Sequence, residues 1–387
     1  MQLMKDKISI YYWSPFISHV ATVKAVLNSA FGFNKYSKKY KISIINVAGE
    51  WDQYQHVLRE NNINVIQLTE SKILNNSNFT GYLKSRLIYI YIFVIAFIPL
   101  LKILKKNPPS FFVIHLITPI PLIINYLFDI KTKTILRISG LPQFNFIRIF
   151  FWKFVFKKIC HITCPTNLTM TALQKIKLVK QEKISVLYDP IISPKEVVKK
   201  KREEIKDKNL GKNYYIAIGR LTKQKNFKFL IEVFNEFSKL NNNKLVILGD
   251  GEEKSNLNAF INKNQMQNKV FLIGFKKNVF KYLKNSKCFI LSSLWEDPGF
   301  VLIEAAYMNI PIISSDCENG PLEILYNGNG LLFKSNDKKS LKESLIKFEE
   351  LKKVNIFRSK VKSKKIANKF SYFKHYKTFS STLEKIV

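Results

Sequence analysis

Two carboxylates with seven residues between them, Glu296 and Glu304, form the pair whose surroundings can do the most chemistry. The residues before them, Lys287 to Ser292, are apolar enough for a buried strand. Pro298-Gly299 then breaks the chain, and a helical run starts at about Phe300. Such a strand–turn–helix leaves free backbone N–H groups and a positive helix end beside the two acids. The N–H groups suit a phosphate and the carboxylates suit hydroxyls, so a ligand with both, a nucleotide sugar, fits this layout.

In the form Glu296-Asp297-Pro298-Gly299-Phe300-x-x-x-Glu304 the segment resembles the signature of the family 4 retaining glycosyltransferases. Those enzymes have the GT-B fold, two Rossmann-like, doubly wound parallel-sheet domains facing a cleft. The segment Gly219-Arg220-Leu221-Thr222-Lys223-Gln224-Lys225-Asn226 is similar to the one that supplies an Arg and a Lys to the donor diphosphate in that family. Departure of a nucleoside diphosphate builds negative charge that two fixed cations stabilise, which makes Arg220 and Lys225 the expected pair. The resemblance further implies that Glu304 accepts from ribose hydroxyls and that Glu296 lies by the transferred sugar as a catalytic group. The backbone from Asp297 through Gly299 to Phe300 would touch sugar and phosphate. Gly249, in Leu248-Gly249-Asp250-Gly251-Glu252, falls near the nucleoside, and Phe275, after Ile273-Gly274, borders the base. There is no Asp-x-Asp of the kind that holds Mn²⁺ or Mg²⁺ in other glycosyltransferases, so no metal and no cofactor is expected.

On the acceptor side, His115 ends the strand-like run Phe111–His115, where similar enzymes place a histidine facing the donor sugar, and it is the second expected catalytic residue. Arg137 ends another such run and is expected on acceptor phosphate. Ser18 and His19 close the loop Tyr12-Trp13-Ser14-Pro15-Phe16-Ile17-Ser18-His19, which lacks the glycines common there in the family; they are further acceptor candidates. The resemblance implies a nucleoside-diphosphate sugar donor, UDP before GDP, carrying a hexosyl or N-acetylhexosaminyl group. The implied acceptor is a glycan or a polyprenyl-diphosphate-linked glycan, as in bacterial surface polysaccharide and lipopolysaccharide assembly. Two alternatives stand beside this reading: a GT-B sugar-nucleotide epimerase, which would share the donor site, and, of another class, a basic nucleic-acid-binding protein, suggested by the charge alone.

These residues need a scaffold, and the chain is long enough for two domains. Apolar runs at Ile8–Tyr12, Ile42–Val47, Val65–Leu68, Phe111–His115, Thr134–Ile138 and His161–Cys164 alternate with helical stretches, as a parallel α/β sheet requires. A second series starts at Tyr214–Ile218 and continues through Lys244–Leu248, Val270–Ile273, Cys288–Ser292, Pro311–Ser314 and Gly330–Phe333. The expected division is a first domain over 1–192, a charged linker over 193–212, a donor domain over 213–371, and a terminal helix over 372–387 that crosses back to the first.

A net charge of +35, from 63 Lys+Arg against 28 Asp+Glu, calls for an anionic partner. Zinc-finger, RNP-like and helix-turn-helix patterns are missing, which argues against a specific nucleic-acid binder. Four cysteines make no disulfide framework, and Cys160-His161-Ile162-Thr163-Cys164 reads as a buried strand, so a reducing, cytoplasmic setting is expected. Nothing at the start resembles a cleaved signal. The run Leu87–Leu101, about fifteen residues, falls short of the roughly 20 that span a bilayer. With the aromatic and cationic stretch Asn145 to Lys158, it suits an anionic membrane surface. The expected location is cytoplasmic, peripheral on the inner face of the cell membrane.

Overall fold

The computed structural model describes residues 7–17, 21–75, 82–140, 142–207, 210–239 and 242–386. Its contacts divide the chain into two units, Met1–Pro190 with Tyr372–Val387, and Ile191–Ser371. Each is a parallel sheet with helices.

In the first unit the strands are β1 (Ile8–Trp13), β2 (Tyr40–Asn46), β3 (Asn64–Gln67), β4 (Phe111–Ile114), β5 (Lys133–Arg137), β6 (His161–Cys164) and β7 (Ile184–Val186). They lie in the order β3-β2-β1-β4-β5-β6-β7, with every pairing parallel. Parallel strands covered on both faces read as unbroken apolar runs rather than alternating ones, and β4 (Phe-Phe-Val-Ile) is buried at all four positions. The order reverses between β1 and β4, so the loops after these neighbouring strands diverge and open a crevice.

The second unit repeats the plan with β8 (Tyr214–Ile218), β9 (Leu245–Leu248), β10 (Val270–Leu272), β11 (Ser286–Leu291), β12 (Ile312–Ser315) and β13 (Leu331–Phe333). Their order is β10-β9-β8-β11-β12-β13, again wholly parallel, with the reversal between β8 and β11.

Several expectations need adjusting. The strand β7 is missing from the sequence-based reading, since three residues are too few to show a run. The expected linker over 193–212 instead opens with a helix, Pro194–Lys200, led by a proline at its first position, where the missing N–H does no harm. Its Val197 is buried, and the segment belongs to the second unit. The apolar run of the first unit is also longer than expected: the helix spans Tyr82–Lys106, and Lys84–Lys106 is long and apolar enough to cross a membrane by length and composition. One face of this helix, Ile88, Ile92, Ala96, Leu100 and Leu104, is packed in the core of the first unit with Phe112, Ile114 and Leu136 of the sheet. The terminal helix, Tyr372–Ile386, packs on the helix Ala21–Tyr36, with Phe379 and Leu383 in the core among Val26, Phe33 and Ile44.

Candidate functional site

At the β8/β11 reversal the second unit brings Lys225 and Glu296 together as an ion pair. After Ile218 the chain turns through Gly219 and a short 3-10 segment, Lys223–Lys225, and Asn226 takes a left-handed conformation before the helix Phe227–Ser238. Side-chain space decides the turn. A Cβ at Gly219 would meet the Lys225 stem at 3.0–3.3 Å, so the glycine lets the lysine lie across the strand end. At Gly249 (φ +154°) a Cβ would stand 1.8 Å from the Gly219 carbonyl oxygen, so only glycine allows the β9 turn to press on the β8 turn. The Gly249 N–H in turn donates to the Gly274 carbonyl at 3.0 Å, tying three successive strand ends together.

The β11 turn is held just as closely. The Leu294 N–H donates to the Gln224 carbonyl (2.8 Å), and the Gln224 amide donates to the Trp295 carbonyl (2.8 Å). Glu296 pairs backbone-to-backbone with Asn319, and a Cβ at Gly320 would fall 1.7 Å from the Pro298 carbonyl oxygen. Locked between these neighbours, Glu296 is buried and its Oε1 accepts from Lys225 Nζ. The same oxygen accepts from the Ser293 hydroxyl at 2.6 Å, and the Ser293 carbonyl accepts from Ser315 Oγ at 2.7 Å. Ser292 Oγ donates to the Lys225 carbonyl at 2.8 Å, fixing the lysine from behind.

Gly299 (φ +87°) precedes the helix Phe300–Tyr307, whose start has no side-chain cap. The N–H groups of Leu302 and Ile303 turn back to the Gly299 carbonyl. Those of Phe300 and Val301 come before the helical bonding begins, and N–H groups so placed suit an anion. Glu304 is buried one turn into this helix. Arg220 is exposed and makes no ion pair among the described residues, while Phe275 holds its ring largely in solvent beyond β10. Near Glu296, burial pushes the Cys317 thiol up to about 11, with the glutamate's charge adding to the effect, so this sulfur stays protonated and is no nucleophile. Among the described residues, no group of three or more His, Cys, Asp or Glu could hold a metal ion.

The first unit's reversal point is built from different material. His115 follows β4, its N–H bonded to the Trp13 carbonyl (2.8 Å) and its ring 5.8 Å from that of Tyr12. Burial, then the charge of Arg137 and of His375, holds its pKa well below the usual imidazole range, so the ring is neutral. Its Nδ1 is buried without a hydrogen-bond partner among the described residues.

Arg137, expected on acceptor phosphate, is placed otherwise. It is 3% exposed, its Nη2 pairs with Asp189 Oδ1 at 2.6 Å, and its Nη1 donates to the Leu187 carbonyl at 2.6 Å. Two of its five donors thus clamp the end of the segment after β7, a structural role that the residue's place at a strand end did not announce. Ser18 and His19 lie outside the described residues.

Sequence reasoning also missed a buried chain of hydrogen bonds. Tyr12 Oη, Ser29 Oγ and His375 Nε2 are linked at 2.8 Å each, and His375 Nδ1 meets the Tyr188 carbonyl at 2.7 Å. A carbonyl only accepts, so Nδ1 carries the proton, Nε2 accepts from Ser29, and the Ser29 oxygen accepts from Tyr12. Burial pushes the His375 pKa down to about 3.

Residues 198–366 match the family model described as Glycosyl transferases group 1. An uncharacterized glycosyltransferase of Methanocaldococcus jannaschii is 36% identical over 250 residues, 58% of this chain and 60% of that protein. An Escherichia coli protein named UDP-Gal:alpha-D-GlcNAc-diphosphoundecaprenol alpha-1,3-galactosyltransferase is 27% identical over 236 residues, 58% of this chain and 61% of that one. The chain thus spans about three fifths of the length of each of these two relatives. Among solved structures, a glycosyltransferase from Rickettsia africae superposes with a TM-score of 0.75 at 15% identity, covering 99% of both chains.

Proposed function

We propose that this chain, a GT-B protein whose residues 198–366 carry the group 1 glycosyltransferase domain, moves a sugar from a nucleoside diphosphate to a glycan or lipid-linked glycan acceptor. The observation that carries the reading is the buried Lys225–Glu296 pair at the β8/β11 reversal, between exposed Arg220 and the uncapped helix that bears Glu304. Open α/β sheets bind ligands at such reversals, outside the strand ends.

The chemistry follows from the charges. The diphosphate takes Lys225 and Arg220 as its cations and the N–H groups before Leu302 as donors. Charge that grows on the leaving group in the transition state is met by groups already in place. Lys225, drawn to the diphosphate, loosens its hold on Glu296, whose carboxylate then accepts from a hydroxyl of the transferred sugar. Ser293 keeps that carboxylate oriented meanwhile. Glu304 accepts from the ribose, and Gly249 and Phe275 lie on the side of the nucleoside. In the first unit, His115 is kept neutral and can offer a hydrogen bond without adding charge. With cations and helix amides neutralising the diphosphate, transfer proceeds without a metal. Transfer retains the anomeric configuration, the donor is a UDP-hexose or UDP-N-acetylhexosamine, and the acceptor is a polyprenyl-diphosphate-linked glycan met at the cytoplasmic face of the membrane. The Escherichia coli relative's name, with a UDP sugar and a diphosphoundecaprenol acceptor, supports both choices. The epimerase and nucleic-acid alternatives draw no support from the relatives.

Calorimetric titration with UDP and GDP in the absence of divalent metal, beside Glu304→Ala, tests this. Saturable UDP binding that the variant loses is the expected result. Equal binding of both nucleotides by parent and variant would remove Glu304 from the site and the assignment with it.

A further inference from the structure

The helix Tyr82–Lys106 is apolar all round, yet the protein covers only one of its sides. Successive residues of a helix are ~100° apart, so positions spaced by three and four share a face. Ile88, Ile92, Ala96, Leu100 and Leu104 make the covered face. Leu87, Ile90, Val94 and Ile98 recur at the same spacing on the opposite side, and Leu87 and Val94 are 67% and 68% exposed. A soluble helix normally sets polar residues on its outer face. Here the outer face is as apolar as the inner one.

This stripe has neighbours. The helix packs beside Pro119–Leu127, which packs beside Phe146–Val155. Leu127 is exposed at the end of the second helix, and the third presents Phe146, 82% exposed, with Ile147 and Phe150. Ring contacts join them: Phe93 to Phe97 and on to Phe128, and Tyr126 to Phe154, Phe150 and Phe146. Charge surrounds the apolar ground. From Tyr82 to Lys158 the chain holds twelve Lys and Arg and a single acid, Asp129. Lys84 and Arg86 lie at one end of the long helix and Lys102, Lys105 and Lys106 at the other, all exposed. Lys105 and Lys157 each reach over a phenylalanine ring.

We infer that these three helices form one face that inserts into the headgroup and upper acyl layer of an anionic bilayer, the long helix lying flat in the membrane plane. An apolar stripe suits the acyl chains, and cations at both ends of it suit anionic phosphates. The flat orientation follows from the covered side: crossing the bilayer would strip Ile92, Ala96 and Leu100 from the core they share with Phe112 and Ile114. At 25 residues the helix offers a contact line of about 37 Å. This deepens the membrane-facing part of the proposed function, and its test uses no nucleotide, so it fails or stands apart from the donor site.

Co-sedimentation of the full chain with vesicles of phosphatidylcholine, and of phosphatidylcholine mixed with phosphatidylglycerol, is the measurement. Binding to the mixed vesicles, weakened by salt and released by alkaline carbonate, is expected. The triple variant Leu87→Glu, Val94→Glu, Ile98→Glu should bind about tenfold or more weakly, and Phe146→Ser with Ile147→Ser should weaken it by a smaller factor. Circular dichroism and melting checked on both variants separate lost affinity from lost fold, since every changed side chain is exposed. Absence of binding to either vesicle, or unchanged binding by both folded variants, overturns the inference. So does a parent that self-associates and ignores vesicles while the triple variant is a monomer, which would give the face to a second copy. Resistance to carbonate would overturn the flat placement.

Discussion

Each unit reverses its strand order once, and the two reversal points solve the same geometric problem with opposite electrostatics. In the second unit, Lys225, Glu296 and Arg220 gather charge where the β8 and β11 turns diverge. In the first, the β1 and β4 ends carry a neutral histidine, and the nearby cation, Arg137, is locked to Asp189. Both ion pairs are buried, but they differ in what surrounds them. Lys225 keeps an edge toward solvent, its side chain 14% exposed, whereas Arg137 is 3% exposed and divides its bonds between Asp189 and the Leu187 carbonyl. A buried cation is therefore evidence of a binding site only when its partner leaves it something to exchange.

That distinction can be broken by substitution. Lys225→Ala carries the largest expected effect, a fall in turnover of about 10²–10³-fold, as for loss of one transition-state donor, together with destabilisation because Glu296 is left buried and unpaired. The double change Lys225→Met, Glu296→Leu should recover much of the stability and none of the activity; activity in it would show that the pair is structural. Glu304→Gln comes next: it keeps the volume but weakens acceptance from ribose hydroxyls, and nucleotide affinity should drop about tenfold. Arg137→Met should lower stability by about 3–5 kcal/mol, the usual consequence of breaking one side of a buried pair, read as a lowered denaturant midpoint, while nucleotide affinity stays at the parent value. An affinity loss there would erase the contrast between the two pairs.

The last prediction concerns pH. His375 titrates near 6.5 in the unfolded chain and at about 3 when folded. Between those values the unfolded state binds the extra proton, so stability is full above about pH 6.5 and falls as pH drops toward 3, by up to ~1.4 kcal/mol per pH unit. His115 adds in the same direction. His375→Gln should flatten the acid limb of a stability–pH curve, and an unchanged limb would assign the loss to other groups.

The sheets were legible because buried parallel strands leave unbroken apolar runs, and β7 escaped because Ile184–Val186 is too brief to leave one. The helix Pro194–Lys200 hid behind its lysines, which snorkel off a short element with one buried valine. In the site, Glu296, Glu304, Lys225 and Arg220 could be named from local order along the chain. That Lys225 bonds Glu296 could not, since the partners are 71 positions apart and only the fold joins them. Arg137 misled for the same reason: a cation at a strand end resembles a ligand contact until Asp189, 52 positions later, comes back beside it. Gly249 was expected near the nucleoside, and what constrains it in the fold is the Gly219 carbonyl. The Tyr12–Ser29–His375 chain left no local signal at all.

That chain of hydrogen bonds joins the first strand to the last helix, with Ser29 and His375 separated by 346 positions. During synthesis the ribosome must release the segment Tyr372–Ile386 before Phe379, Leu383 and His375 can reach the half-built sheet near the start. The second unit, one uninterrupted stretch from Ile191 to Ser371, has no such wait. The second unit can therefore close on its own residues, while the helical flank of the first is completed only by the segment Tyr372–Ile386.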